Sequence, residues 1–150
     1  MTSISSPAPL DEAKLDLPAA FAAIALAAVS WDGVLTMAGS RALRHALDYR
    51  HPYRDFEDAQ MVALLDRLLR ELRRKGAQHL MVDAAAVLNS DQRATAYAVA
   101  TEIMRSDGPL LEDECNILDN LAEVLGLDAE LTVEVRCVMD LLHADLVVCS

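Results

Sequence analysis

The stretch FAAIALAAVSWDGVLTMAGSRAL (residues 21–43) indicates the fold, because it occurs in a second, weaker form further along the chain. The second form is AYAVATEIMRSDGPLLEDECNIL (residues 96–118), at a constant shift of 75 residues. Each form consists of a helix of small residues, an Asp-Gly turn and an amphipathic segment. Similarity at one fixed shift predicts a duplicated helical hairpin. The alternative is two unrelated helix-turn-helix units, because Asp-Gly is a common turn dipeptide.

The bulk composition favours a single all-α domain. A chain of 150 residues can form one domain with a full hydrophobic core, and 53% of its residues are apolar. Ala, Leu and Val dominate, Gly and Pro are sparse, and no strand-like alternation is present. We therefore expect one compact all-α domain of about seven helices over residues 16–150, preceded by a flexible tail over residues 1–15.

Apolar periodicity and capping residues predict where the helices begin and end. The third helix is expected to begin after a cap at Asp55, to carry a buried leucine-rich stripe and to end at Gly76. A cap at Ser90 begins the fifth helix, and the sixth ends at Gly126 as in a Schellman motif. The last helix is capped by Asp128 and has an expected apolar seam of Leu131, Val135, Val138 and Leu142. The remaining helices are expected at about residues 18–30, 36–47 and 78–88.

The net charge of −11 argues against nucleic-acid binding, because an acidic chain repels a phosphate backbone. The charge is unevenly distributed. Residues 41–75 carry 9 Lys and Arg against 6 Asp and Glu, whereas residues 76–150 carry 3 against 14. The acidic half is therefore where a cation would bind. In the basic segment, Arg67, Arg70 and Arg74 form one stripe, interpreted as a solvated face, with docking onto anionic lipid or an acidic partner as the alternative.

Cysteine usage and hydropathy predict a cytoplasmic protein without a transmembrane segment. Cys115, Cys137 and Cys149 form no CxxC pair, and an odd, scattered set fits reduced thiols. The apolar run over residues 18–29 is too short to span a bilayer, since a spanning helix needs about 20 residues. It follows acidic rather than basic residues, so it is interpreted as a buried helix and not as a signal peptide.

The second Asp-Gly turn carries the most informative set of carboxylates. Asp107 lies in the turn, Glu114 follows seven residues later at the start of a helix, and Glu102 precedes the turn by about one helical turn. Three carboxylates around one turn predict a hard-cation site with few protein ligands. The site lacks the ligand positions of an EF-hand, so tight calcium buffering is not implied. The first turn offers Asp32 but has Gly39 at the position equivalent to Glu114.

These motifs resemble the TerB-like family of tellurite-resistance and related stress proteins. The residues that carry the resemblance are VSWDGVL, EIMRSDGPLLEDE, the segment LLRELRRKGAQHLMVDAAAVLNSDQRATAYAVA between them, and LAEVLGLD, within about residues 18–145. The resemblance implies an all-α domain of two similar halves with no classical enzymatic activity. It also implies stress-related complexes, with partners at the inner face of the membrane, and metal-binding roles for Asp32, Asp107 and Glu114.

We therefore expect a non-enzymatic module, linked to tellurite resistance or another stress response. It would bind a divalent cation, a protein partner or both through its acidic Asp-Gly turns, with Asp32, Asp107, Glu114 and Glu102 as the metal ligands. The first alternative is a purely structural interaction domain that binds no metal. The second is a metal-dependent hydrolase, for which the sequence offers no obvious base beside Asp107 and Glu114. His45 and Asp48, three residues apart on one helix, are interpreted as a surface pair.

Overall fold

The computed structural model describes residues 14–146, and these residues form an all-α domain. The predicted tail over residues 1–15 and the thiol of Cys149 fall largely or wholly outside this range. Seven α-helices are present in the described range, together with a short 3₁₀ turn at Tyr53–Asp55. The helices are α1 (Leu17–Val29), α2 (Met37–Asp48), α3 (Asp58–Lys75), α4 (Ala77–Ala85), α5 (Ser90–Arg105), α6 (Glu112–Leu125) and α7 (Ala129–Leu142).

Helix α1 lies at the centre of the domain. Every residue from Ala19 to Ala28 is buried, and α1 packs against α2, α3, α4, α5 and α6. A helix that is apolar on all sides must be covered on all sides, and its many alanines let neighbouring helices approach closely. The prediction of a buried helix here is confirmed. None of the helices within residues 14–146 combines the length and apolar character needed to cross a membrane.

The predicted stripe of α3 is confirmed, but two predicted caps are wrong. Asp55 lies in the 3₁₀ turn, and α3 begins after Glu57, whose amide donates to Gln60 Oε1 at 2.8 Å. Ser90 is the first residue of α5, and the cap is Asn89, whose Oδ1 accepts from the amide of Gln92 at 2.9 Å. In both cases the amide of the cap residue donates to a glutamine three positions later, and at Asn89 the pairing with Gln92 is reciprocal, which holds the helix start more firmly than a single side chain.

Helix α4 ends three residues before the predicted position. After Ala85 the chain tightens into hydrogen bonds between residues three apart, which is typical of a helix that is ending. The guanidinium of Arg93 donates to the carbonyls of Ala85 and Leu88, and at 3.3 Å to that of Leu125 at the end of α6. One arginine therefore satisfies the ends of two helices.

The predicted Schellman ending of α6 is confirmed. Gly126 has φ of +66°, and the amide of Leu127 donates to the carbonyl of Ala122 at 3.0 Å. Asp128 is the N-cap of α7, as predicted. The predicted seam of α7 is right at its start, where Leu131 and Val135 are partly buried, and wrong further along, where Val138 and Leu142 are exposed. Helix α7 has no fully buried residue and lies at the edge of the domain, mainly against α5.

The two Asp-Gly hairpins share local geometry at equivalent positions. Gly33 and Gly108 have φ of +84° and +133°, a region that glycine adopts without a steric penalty. The amide of each donates to the carbonyl three residues earlier. Thr36 and Leu111, which are 75 residues apart, are the N-caps of α2 and α6. The duplication itself stays a prediction, which superposition of residues 21–43 on residues 96–118 would test.

Candidate binding cleft between the Asp-Gly turns

A cavity of about 570 Å³ lies between the two Asp-Gly turns. We call it the acidic cleft, because four carboxylates line it and no Lys or Arg is among its described lining residues. Its apolar surface comes from the end of α1, the middle of α2, the end of α5 and the start of α6. The lining comprises Ala28, Val29, Trp31, Asp32, Thr36, Gly39, Ala42, Ile103, Met104, Asp107, Asp113, Glu114, Asn116, Ile117 and Asn120.

The first turn is held in place from both sides. Oδ1 of Asp32 accepts from the amide of Val34 at 3.1 Å, which fixes the turn from within. From α3, Nε of Arg73 donates to the carbonyl of Gly33 at 2.9 Å. Trp31, beside Asp32, is 38% exposed and lines the acidic cleft. The turn therefore presents one carboxylate and one aromatic ring to the cleft in a defined conformation.

The second turn supplies the other three carboxylates. Asp107 lies in the turn itself, and Asp113 and Glu114 lie in the first turn of α6. Oε1 of Glu114 accepts from the amide of Leu111 at 2.9 Å, so part of its hydrogen-bonding capacity is used to begin the helix. Carboxylates at a helix start interact favourably with the helix dipole, which accounts for part of this charge without a ligand.

Glu102 lies outside the acidic cleft, in an adjoining cavity. This side cavity measures about 500 Å³, and Oε2 of Glu102 lies 3.7 Å from Nε2 of His143 within it. Nε2 of His143 is buried and has no hydrogen-bond partner among the described residues. The side cavity is lined by Ala38, Arg41, Ala42, His45, Ala46, Tyr49, Glu102, Ile103, Ser106, Asp107 and His143.

The two cavities meet at Ala42, Ile103 and Asp107, which line both. Of the four predicted metal ligands, Asp32, Asp107 and Glu114 line the acidic cleft together. Glu102 shares only the side cavity with Asp107. Within residues 14–146, no group of three or more His, Cys, Asp or Glu side chains is arranged to hold a metal ion. The four predicted ligands thus lie on one surface, but they are not arranged around a single point where an ion could bind.

Sequence reasoning missed several residues of this surface. Asp113 and Trp31 line the acidic cleft but are not among the site residues predicted from the sequence. His45 was paired with Asp48, but Asp48 lies 3.4 Å from Arg44, while His45 faces the side cavity. The 75-residue shift was the signal that could have found them, because two equivalent turns at the ends of neighbouring helices bring their flanking residues together.

The fold and this surface define an all-α domain with an acidic cleft between two Asp-Gly turns. Comparison of the chain with family models, with curated proteins and with solved structures found no match. The resemblance to the TerB-like family therefore stays a prediction that rests on the quoted motifs.

Proposed function

We propose that the chain is a non-enzymatic binding module that takes basic side chains of a protein partner in the acidic cleft. The observation that carries the proposal is the composition of the cleft: four carboxylates, an apolar floor and no Lys or Arg among its described lining residues. A Lys or Arg side chain has an apolar stem and a charged end, so it can lie on the floor while its head meets the carboxylates.

The spread of the carboxylates favours a basic side chain over a metal ion as the main ligand. A divalent cation needs oxygens within about 2.0–2.6 Å of one point. A guanidinium instead has five donors spread over a planar fork and can reach separate carboxylates. The described residues hold no preformed group of metal ligands, whereas the acidic cleft is wide enough for a side chain.

A divalent cation is the second candidate, because Asp32, Asp107 and Glu114 line one cleft. Like charges around one cavity repel each other, and a cation would relieve that repulsion. Such an ion would keep most of its water ligands and bind weakly. On the resemblance to the TerB-like family, either form of the module would act in tellurite resistance or another stress response, including complexes at the inner face of the membrane.

The test is a titration followed by the fluorescence of Trp31, the single tryptophan of the chain, which lines the cleft. The probes are arginine amide and, separately, Mg²⁺, Ca²⁺, Mn²⁺ and Zn²⁺. The variant Asp107→Asn/Glu114→Gln removes two charges, and its glutamine side chain keeps an oxygen that can accept from the amide of Leu111. We expect it to weaken arginine amide binding by about tenfold or more, equivalent to about 1.4 kcal/mol.

The matched control is Glu130→Gln/Glu134→Gln, which removes the same net charge from the exposed side of α7. We expect this control to bind arginine amide as the wild type does. Saturation by a metal ion alone, lost in the cleft variant, would establish the second candidate instead. If neither probe distinguishes the cleft variant from the control, the cleft has no role in cation binding and the proposal fails.

A further inference from the structure

The acidic cleft and the side cavity adjoin each other along α2, since they share three lining residues. We refer to the two cavities together as the groove. Helix α2 and its flanking residues line it from Thr36 to Tyr49. At about 1.5 Å per residue, this wall is roughly 20 Å long. The opposite wall comes from the end of α5, the start of α6 and His143 after α7.

Small side chains form one face of α2 along the groove. Ala38, Ala42 and Ala46 recur every fourth residue and line the groove along one face of the helix. Side chains four apart form a ridge on a helix surface, and alanines make that ridge shallow. A second helix could therefore lie along α2 at the close end of the usual distance of about 8–10 Å between packed helices.

The ends of the groove carry exposed aromatic residues. Trp31, 38% exposed, lines the acidic cleft, and Tyr49, 62% exposed, lines the far part of the side cavity. Exposed Trp and Tyr beside a concave apolar surface are typical of residues that contribute most to protein binding. The groove thus has an anchor position at each end, and the alanines of α2 lie between them.

We infer that this groove binds an amphipathic helix of a partner protein, with the basic residues of that helix in the acidic cleft. This inference rests on the proposed function and adds the conformation and orientation of the partner. A helix satisfies its own backbone hydrogen bonds, whereas an extended peptide gains affinity by adding to a sheet edge. No strand occurs within residues 14–146, so a sheet edge is not offered there.

Charge fixes the orientation of the bound helix. The acidic cleft carries Asp32, Asp107, Asp113 and Glu114 and has no Lys or Arg among its described lining residues, whereas the side cavity has Arg41 and two histidines beside Glu102 and the shared Asp107. A helix with basic residues at one end gains attraction when that end lies in the cleft, and it meets repulsion from Arg41 when it is reversed. The partner helix is therefore basic at one end and apolar along the face that meets α2.

The experiment selects binders from a phage-displayed library of random 16-residue peptides on the full chain. Enriched peptides are then measured by fluorescence anisotropy on wild type, Ala38→Phe and Ala59→Phe. Ala38 is exposed and lines only the side cavity, so the bulkier ring of Ala38→Phe obstructs the groove without changing the acidic cleft. Ala59 is exposed at the start of α3 and lines neither cavity, which makes Ala59→Phe the matched control.

We expect enriched peptides to have basic residues near one end and apolar residues three or four apart. Ala38→Phe should weaken their binding about tenfold or more, Ala59→Phe should leave it unchanged, and a proline placed mid-peptide should abolish it. Equal binding to all three proteins, tolerance of the proline, or no enrichment would overturn the helix inference. Those results would leave the proposed function intact if arginine amide still bound in a way that depends on Asp107 and Glu114. The arginine amide titration therefore tests the proposed function separately from the helix inference.

Discussion

The attachment of α7 gives a quantitative test of how this domain is held together. Two aspartates of similar exposure each pair with an arginine where α7 meets the rest of the fold. Asp140 Oδ1 accepts from Nε of Arg105 at 2.8 Å, and Asp119 Oδ1 accepts from Nη2 of Arg136 at 2.7 Å. The aspartate side chains are 64% and 68% exposed, so the difference between the pairs lies in the arginines.

The arginines differ in burial and in their other partners. The side chain of Arg105 is 11% exposed, and Asp140 is its acidic partner among the described residues. Arg136 is 25% exposed and also donates to the hydroxyl of Tyr97 at 3.0 Å and the carbonyl of Cys115 at 3.4 Å. Removal of Asp140 therefore leaves a largely buried charge without its partner, whereas removal of Asp119 leaves Arg136 with two acceptors.

We expect Asp140→Ala to lower the free energy of unfolding by about 2 kcal/mol, in the range for hydrogen bonds to buried charges. Asp119→Ala should cost about 0–1 kcal/mol, as an exposed ion pair does. For a domain of this size, Asp140→Ala should lower Tm by about 4–8 °C, and Asp119→Ala should lower it by at most about 4 °C. Both changes put alanine in a helix, so the gain in helix propensity largely cancels in the comparison.

The assay is urea unfolding followed by circular dichroism, with thermal melts as a second measure. Hydrogen exchange should show the larger loss of protection in α7 for Asp140→Ala, because the helix has no buried residue to hold it otherwise. Equal destabilisation by the two variants, or a larger effect of Asp119→Ala, would show that burial of the arginine does not set the cost.

Two further predictions concern the helix ending at Gly126 and the buried tyrosines. Gly126→Ala should lower stability by about 1 kcal/mol because φ is +66° there, and Gly126→Asn should cost less because Asn tolerates this conformation better. Equal melting of the two variants would contradict the backbone explanation. Burial raises the pKa of Tyr53 and that of Tyr97, the latter opposed by Arg136. Because these pKa values exceed the unfolded value of about 10, their stabilising contribution is complete below that pH and is lost as pH rises above it. Urea unfolding from pH 8 to 11 should show this decline, and Tyr53→Phe should make it shallower; an unchanged slope would contradict the assignment.

The helices could be predicted from the sequence because their signals are local. The apolar run at α1, the leucine stripe of α3 and the glycine after α6 each depend on residues within one helix. The predicted caps at Asp55 and Ser90 were wrong because several residues nearby could serve, and a hydrogen bond to Gln60 or Gln92 three positions later decides between them. Such competition between neighbouring residues is not resolved by residue preference alone.

The prediction of the apolar seam of α7 failed at Val138 and Leu142 for a different reason. Its apolar residues are numerous enough to suggest several buried faces, and only tertiary packing decides which face meets the core. Arg105 and Arg136 attach α7 through polar contacts, Leu131 and Val135 are partly buried, and Val138 is exposed. Both attachments join residues far apart in sequence, so a search for periodicity within one helix does not detect them.

The acidic cleft combines local and distant contributions, and its rigidity bears on how it would bind a partner. Each turn was predictable from its Asp-Gly pair, but their convergence depends on the packing of α1 against α5. Arg73 then fixes the first turn from α3, and Glu114 fixes the start of α6. Because these contacts use groups other than Asp107 and Asp113, the carboxylates of those two residues stay available while the backbone around them is held. A ligand would therefore meet a largely preformed surface, and little of its binding free energy would be lost in ordering the cleft.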